Sequence, residues 1–179
     1  TDEALNVTVG GLACGGPPAR VSQYVVECAL PANVGVDHAV VVATPLGAST
    51  EPRRVSYAPP TLSAAAPPPR TSGGDRLTLS GAHFGAWAPS ARPTNAVDNA
   101  PAATVHGVAC ANAAWASPTA IECDAPAGVG TTAEVRLVVG GQTSNAINLT
   151  YAAPIFAAIS ATSLSAWLQL AGRLSARSS

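Results

Sequence analysis

Lysine is absent from all 179 residues, and so is methionine. The nine basic side chains are all arginine, scattered apart from Arg53–Arg54, and ten acidic ones leave a net charge of −1. A nucleic-acid interface needs a basic patch, and the sequence shows none, which argues against that class of partner. The absent initiator implies a piece of a longer polypeptide. For such a piece, the lack of a signal peptide or of a bilayer-length apolar run leaves a secreted or membrane-anchored parent open. Aromatic residues (4%) and charged residues (11%) are both scarce, so Trp87, Trp115, Tyr57 and Tyr151 stand out as anchors. No Gly-x-Ser-x-Gly elbow, no framed carboxylate pair and no glycine-rich loop ahead of a helix is present. Catalysis is therefore not expected, and no cofactor is implied.

What the chain has in quantity is punctuation: 16 glycines and 16 prolines. They cut it into short pieces, as expected of many short strands joined by turns. The organising stretch is Ala103 to Pro126, read as strand, loop, strand with a cysteine near the end of each strand. The same figure occurs earlier, from Val7 to Pro31. Cys14 and Cys110, Cys28 and Cys123, Pro31 and Pro126, Tyr57 and Tyr151, and Pro60 and Pro154 all recur at an offset of about 95 residues. That period suits a whole immunoglobulin-sized sandwich.

Residues 1–58 are then the C-terminal half of a first repeat, with strands expected near Asn6–Gly10, Tyr24–Cys28, Ala39–Thr44 and Arg53–Tyr57. The run Ala39–Ala43 is apolar on both faces, as in a mid-sheet strand. Residues 59–152 form a complete second repeat. Thr61–Ser63 opens it, Ala66–Pro69 makes an extended lead, and Ser72–Asp75 makes a turn. Arg76–Ser80 alternates with Leu77 and Leu79 inward, and Trp87–Ala100 reads as a long loop. Glu134–Val139 and Ala146–Tyr151 complete the set around a turn at Gly140–Gly141. Residues 153–179 begin a divergent third repeat or form a C-terminal tail, with helix-compatible spacing at Leu164, Trp167, Leu168 and Leu174. The fold class expected is all-β, tandem immunoglobulin-like β-sandwiches with the first and third incomplete.

The second repeat carries Pro60, Gly73–Gly74, Gly81, Phe84 and Gly85, Cys110 with Cys123, and Tyr151, in that order. In this pattern it resembles the IPT/TIG family of immunoglobulin-like domains found in plexins and related receptors. The resemblance covers most of residues 59–152 and, in half, residues 1–58. It implies a β-sandwich used as a spacer or binding module, often in tandem, in extracellular proteins. Members also occur in Rel-type transcription factors and as accessory domains of starch-acting enzymes. It supplies no catalytic motif and no fixed ligand.

Each cysteine pair closes a loop of about fifteen residues, and a bridge across it would stabilise by roughly 3 kcal/mol. Bridges Cys14–Cys28 and Cys110–Cys123 are expected; reduced thiols are the alternative, and metal spacing is lacking. His38, His83 and His106 fall on different elements. His106 beside Cys110 and Asp124 invites a metal, but a rim histidine is the simpler reading. Asn6-Val7-Thr8 and Asn148-Leu149-Thr150 are glycosylation sequons whose asparagines should face solvent by strand alternation. Trp87 and Trp115, read as loop residues, either contact a protein or sugar ligand or cap the sandwich end.

The resulting expectation is a non-enzymatic structural, adhesion or assembly module of a large cell-surface or secreted protein. It would act as a semi-rigid spacer, with other protein domains or subunits, and also glycans, as partners. A carbohydrate-binding accessory region of an extracellular enzyme is the alternative. A DNA-contacting role is the weakest reading, and an intracellular scaffold requires reduced cysteines.

Overall fold

A computed structural model describes residues 5–49, 51, 53–85 and 100–155. Among these residues every regular element is a strand, and every pairing is antiparallel. The first part of the chain holds β1 (Asn6–Val9), β2 (Leu12–Ala13), β3 (Ala19–Arg20), β4 (Val26–Glu27), β5 (His38–Thr44), β6 (Gly47–Ala48) and β7 (Arg53–Val55). The second holds β8 (Thr61–Ala66), β9 (Arg76–Ala82), β10 (Ala102–Val105), β11 (Val108–Ala109), β12 (Ala111–Ser117), β13 (Ala120–Asp124), β14 (Ala133–Val139), β15 (Gln142–Thr143) and β16 (Ile147–Leu149).

Two sheets make the second part a sandwich. One runs β11-β10-β14-β15 with β16 also on β14, and the other runs β12-β13-β9-β8. Alternation decides which side chains enter the space between them. Leu77 and Leu79 of β9, with Ile121 and Cys123 of β13, point in from one sheet, and Ala133, Val135, Leu137 and Val139 of β14 point in from the other. Glu134 and Arg136, at the intervening positions of β14, are exposed and pair with each other. Each fully buried leucine- or valine-sized side chain contributes roughly 1.5–3 kcal/mol. Phe84 closes one end of this core and is fully buried. The Asn145 side chain ties the sheets together at the open edge of β8. Its Oδ1 accepts from the Leu62 N–H at 2.8 Å, and its Nδ2 donates to the Leu62 carbonyl at 3.0 Å.

The first part repeats one of these sheets. β2-β1-β5-β6, with β7 also on β5, has the strand order of β11-β10-β14-β15 with β16 on β14. Among the described residues the first part's other sheet is the two-stranded β3–β4 hairpin, where the second part has four strands. The central strand β5 is consequently half-buried along its whole length. The run Ala39–Ala43 does occupy mid-sheet, but one of its faces is incompletely covered.

Four local expectations are corrected. The segment between the hairpin strands in the second repeat is not a loop, because β12 pairs along β13 through two irregularities. Its sequence, mostly alanine, hides a strand that needs little side-chain packing because it lies at a sheet edge. The strand from Ala103 ends at Val105, because His106 and Gly107 turn with φ of 51° and 76°. The expected strand Tyr24–Cys28 shortens to β4, leaving Tyr24 almost wholly exposed. β8 also continues through Ala66 before the proline lead begins. Both the long loop with Trp87 and the helix-compatible tail segment lie outside the described residues.

Candidate functional site

Most of the chemistry-bearing residues serve the sandwiches themselves. Cys14 pairs with Cys28 and Cys110 with Cys123, at Cα–Cα distances of 5.9 and 5.7 Å, and no described cysteine is free. Asn6 and Asn148 are both exposed, on β1 and β16, while Val7, Leu149 and Tyr151 turn inward. Trp115 lies on β12, not in a loop. It is half-buried, and its indole N–H donates to the Phe84 carbonyl at 2.6 Å, which makes it a lid over the Phe84 end of the core. Asp75 is the turn residue expected: its Oδ2 accepts from the Arg70 N–H at 2.6 Å and its carboxylate pairs with the Arg70 guanidinium. Hydrogen bonding from Arg70 holds the Asp75 carboxyl below the usual carboxylate range. His106 sits exposed in the β10–β11 turn, and the described residues contain no group of three metal-ligating side chains.

The arrangement that does something beyond closing one sandwich is the joint between the two repeats. Pro31-Ala32-Asn33-Val34-Gly35 leaves the first repeat after its second cysteine and seats on the second. Val34 is only 8% exposed, although no other residue of its own repeat belongs to the core cluster it joins. Its methyl groups lie where a side chain at Gly85 or Gly140 would stand; a Cβ on Gly140 would come within 2.8 Å of Val34 Cγ2. Gly140 has φ of 56°, so the β14–β15 turn needs glycine there for its backbone as well as for the approach of Val34.

Gln142 of β15 locks the same joint from the side. Its Oε1 accepts from the Gly35 N–H at 3.2 Å, and its Nε2 donates to the Tyr57 carbonyl at 3.0 Å. One amide thus grips both the seating loop and the last strand exit of the first repeat. Behind the loop, His38 Nε2 donates to the Val34 carbonyl at 2.8 Å, which fixes the protonated nitrogen, since a carbonyl can only accept. The His38 ring packs edge-on against Tyr57 with centroids 5.4 Å apart. The Tyr57 hydroxyl donates to the Pro31 carbonyl at 2.7 Å, and burial raises its pKa. Beside the joint runs a cleft of about 550 Å³, with Leu30, Pro31 and Tyr57 on one wall and His83, Pro118 and Thr119 on the other.

The joint residues Val34, Gly35, Gly140 and Gln142 carry no chemical signal in the sequence, and a reading by reactive side chains passes over them. A signal is nonetheless present. Pro31-Ala32-Asn33-Val34-Gly35 recurs as Pro126-Ala127-Gly128-Val129-Gly130, an identity in four of five positions at the repeat offset.

Against known proteins, the IPT/TIG domain model matches residues 60–151. Among solved structures, SGBP-B from a complex xyloglucan utilization locus in Bacteroides uniformis aligns with a TM-score of 0.40 and 13% identity, over 84% of this chain and 42% of that one. A crystal structure with xylogluco-oligosaccharide aligns with a TM-score of 0.48 and 14% identity, over 88% of this chain and 38% of that one. The full extracellular region of plexin A4 aligns with a TM-score of 0.42 and 18% identity, over 84% of this chain and 15% of that one. The chain therefore spans less than half the length of each of these structures. No curated protein matches it.

Proposed function

The chain belongs to the IPT/TIG family, and on that premise we propose that it is a non-catalytic structural and assembly module of a large cell-surface or secreted protein. It acts as a semi-rigid spacer that holds successive sandwiches in a fixed row and offers their outer faces to other protein domains or subunits. Residues 1–58 are the second half of one module, residues 59–152 are a whole one, and residues 153–179 open the next or form a tail.

The observation that carries this reading is the seated Val34 loop with the double Gln142 hydrogen bond. A flexible tether would need neither. With the short join Ala58-Pro59-Pro60, it leaves the two repeats little freedom to pivot. The two disulfides suit an oxidising compartment, and exposed asparagines in both sequons suit passage through a glycosylating pathway. Sugar binding is less supported. Trp115 has committed its N–H to Phe84 and its ring to the sandwich end.

Small-angle scattering tests the spacer reading. The native chain should fit one rigid two-module shape, and Gln142→Ala should broaden the distance distribution. A native profile that needs a wide ensemble of inter-module distances would remove the reading. Mass measurement of secreted material, before and after reduction and glycosidase, tests the compartment; four thiols free without reduction would contradict it.

A further inference from the structure

The pentapeptide that makes the joint is present twice, and among the described residues only the first copy is seated against another repeat. In both repeats the loop is held in the same frame. Tyr57 donates its N–H to the Gly35 carbonyl and its hydroxyl to Pro31; Tyr151 donates its N–H to the Gly130 carbonyl and its hydroxyl to Pro126. The two N–H hydrogen bonds are both 2.9 Å. The outcomes differ completely at the valine. Val34 is 8% exposed, and Val129 is 73% exposed. A Cβ on Gly35 would meet the Gly140 carbonyl, whereas one on Gly130 would meet nothing within 4 Å.

We infer that Val129–Gly130 is a preformed docking knob for a following IPT/TIG module. That module would present a socket of the kind made here by Gly85, Gly140 and Gln142. Two observations select this occupant over a second copy of the chain. The socket on each copy is already filled by its own Val34, held at the high effective concentration of a short tether. The first repeat offers no alternative socket, because Pro45, Leu46 and Gly47 stand where the second has Gly140, Gly141 and Gln142. Knob and socket also differ from each other, so the contact is heterologous and propagates head to tail in one direction. An isolated valine exposed on a rigid loop has no folding role, since Tyr151 fixes the loop without it.

This inference rests on the spacer reading above, and one experiment separates the two. The chain through Ala152 is joined to a second copy of residues 59–152, so that Tyr151-Ala152 runs into Pro59-Pro60 as Tyr57-Ala58 does natively. Amide hydrogen exchange is then followed at Gly35 and Gly130 in the native and extended chains. In the native chain, Gly35 should be protected and Gly130 should exchange freely. In the extended chain, exchange at Gly130 should slow on the order of tenfold, and Gln142→Ala in the added copy alone should abolish the slowing.

Gly130 remaining fast in the extended chain while Gly35 stays slow overturns the inference and leaves the spacer reading standing. Fast exchange at Gly35 in the native chain overturns the spacer reading. A native dimer that dissociates on Val129→Asp also overturns the inference, because the occupant would then be a second copy. If the added copy fails to form its own cysteine bridge, the Val34→Asp chain serves instead. With its socket vacated it should self-associate at high concentration in a Val129-dependent way, and a strict monomer overturns the inference.

Discussion

The hydroxyl of Tyr151 donates to the carbonyl oxygen of Pro126 at 3.0 Å, pinning the last strand exit of the second repeat to the loop that follows its disulfide. Tyr57 and Pro31 repeat the bond in the first repeat at 2.7 Å. The Tyr151 ring lies where a side chain at Gly128 would stand, and in each repeat the hydroxyl satisfies a proline carbonyl. Tyr151→Phe should cost about 1 kcal/mol in urea unfolding, the usual net worth of one such bond. A loss within error of zero would mean that water replaces the phenol at no cost.

The same two tyrosines set an alkaline limit. Burial raises both pKa values, so the folded state favours the protonated phenols. Their contribution is fully present below the ordinary tyrosine pKa of about 10 and is lost as pH rises through the raised folded values. The urea midpoint should hold from neutral pH to about pH 10 and then fall, less steeply in the Tyr57→Phe, Tyr151→Phe double variant. An identical alkaline fall in that variant would assign the limit to other groups.

The alternation of Leu77 and Leu79 and the glycine turns could be read from the sequence because each is fixed by neighbours within a few positions, and the cysteine pairs because each lies within one hairpin that recurs at the repeat offset. β12 could not. Its alanines carry little strand preference, and it forms because β13 offers a free edge. Val34 could not either, since its burial is decided by Gly85 and Gly140, far along the chain in another repeat. The half-burial of β5 belongs to the same class, being set by which strands lie opposite it.

That difference in cover predicts unequal costs for one substitution at matched sites. Val135 on β14 is fully buried, and Val40 holds the corresponding place on β5, paired with Val9 as Val135 is with Val105. Val135→Ala should destabilise by roughly 2 kcal/mol and Val40→Ala by less than half of that. Equal losses in thermal unfolding would show that β5 is packed as well as β14.

The Cys110–Cys123 bridge closes a 13-residue separation with Cys123 inside the core. Replacing both by alanine should remove about 3 kcal/mol from the second repeat. The Cys14, Cys28 double replacement should act on the first repeat and leave the second repeat's unfolding midpoint unchanged. A shift of both repeats together would make them one cooperative unit.

Asp75 gives the acid side. Its pKa is lowered, first by side-chain hydrogen bonding from Arg70, so its contribution is present above the ordinary aspartate value of about 3.9 and is lost as pH falls through the lowered one. Asp75→Asn should flatten the acid arm of the stability profile below about pH 4, with little effect at neutral pH. An unaltered acid arm would place that loss with Asp124 or Glu134, whose pKa values are also lowered.

The most direct test of the spacer account is the alignment of the two repeats in solution, measured by residual dipolar couplings on the native chain and on Gln142→Ala. With Val34 seated and Gln142 bonded to both Gly35 and Tyr57, couplings from residues 5–58 and 59–152 should fit a single alignment tensor. Gln142→Ala should split that tensor into two of unequal magnitude. Two independent tensors in the native chain would mean the repeats move separately, and would contradict the account.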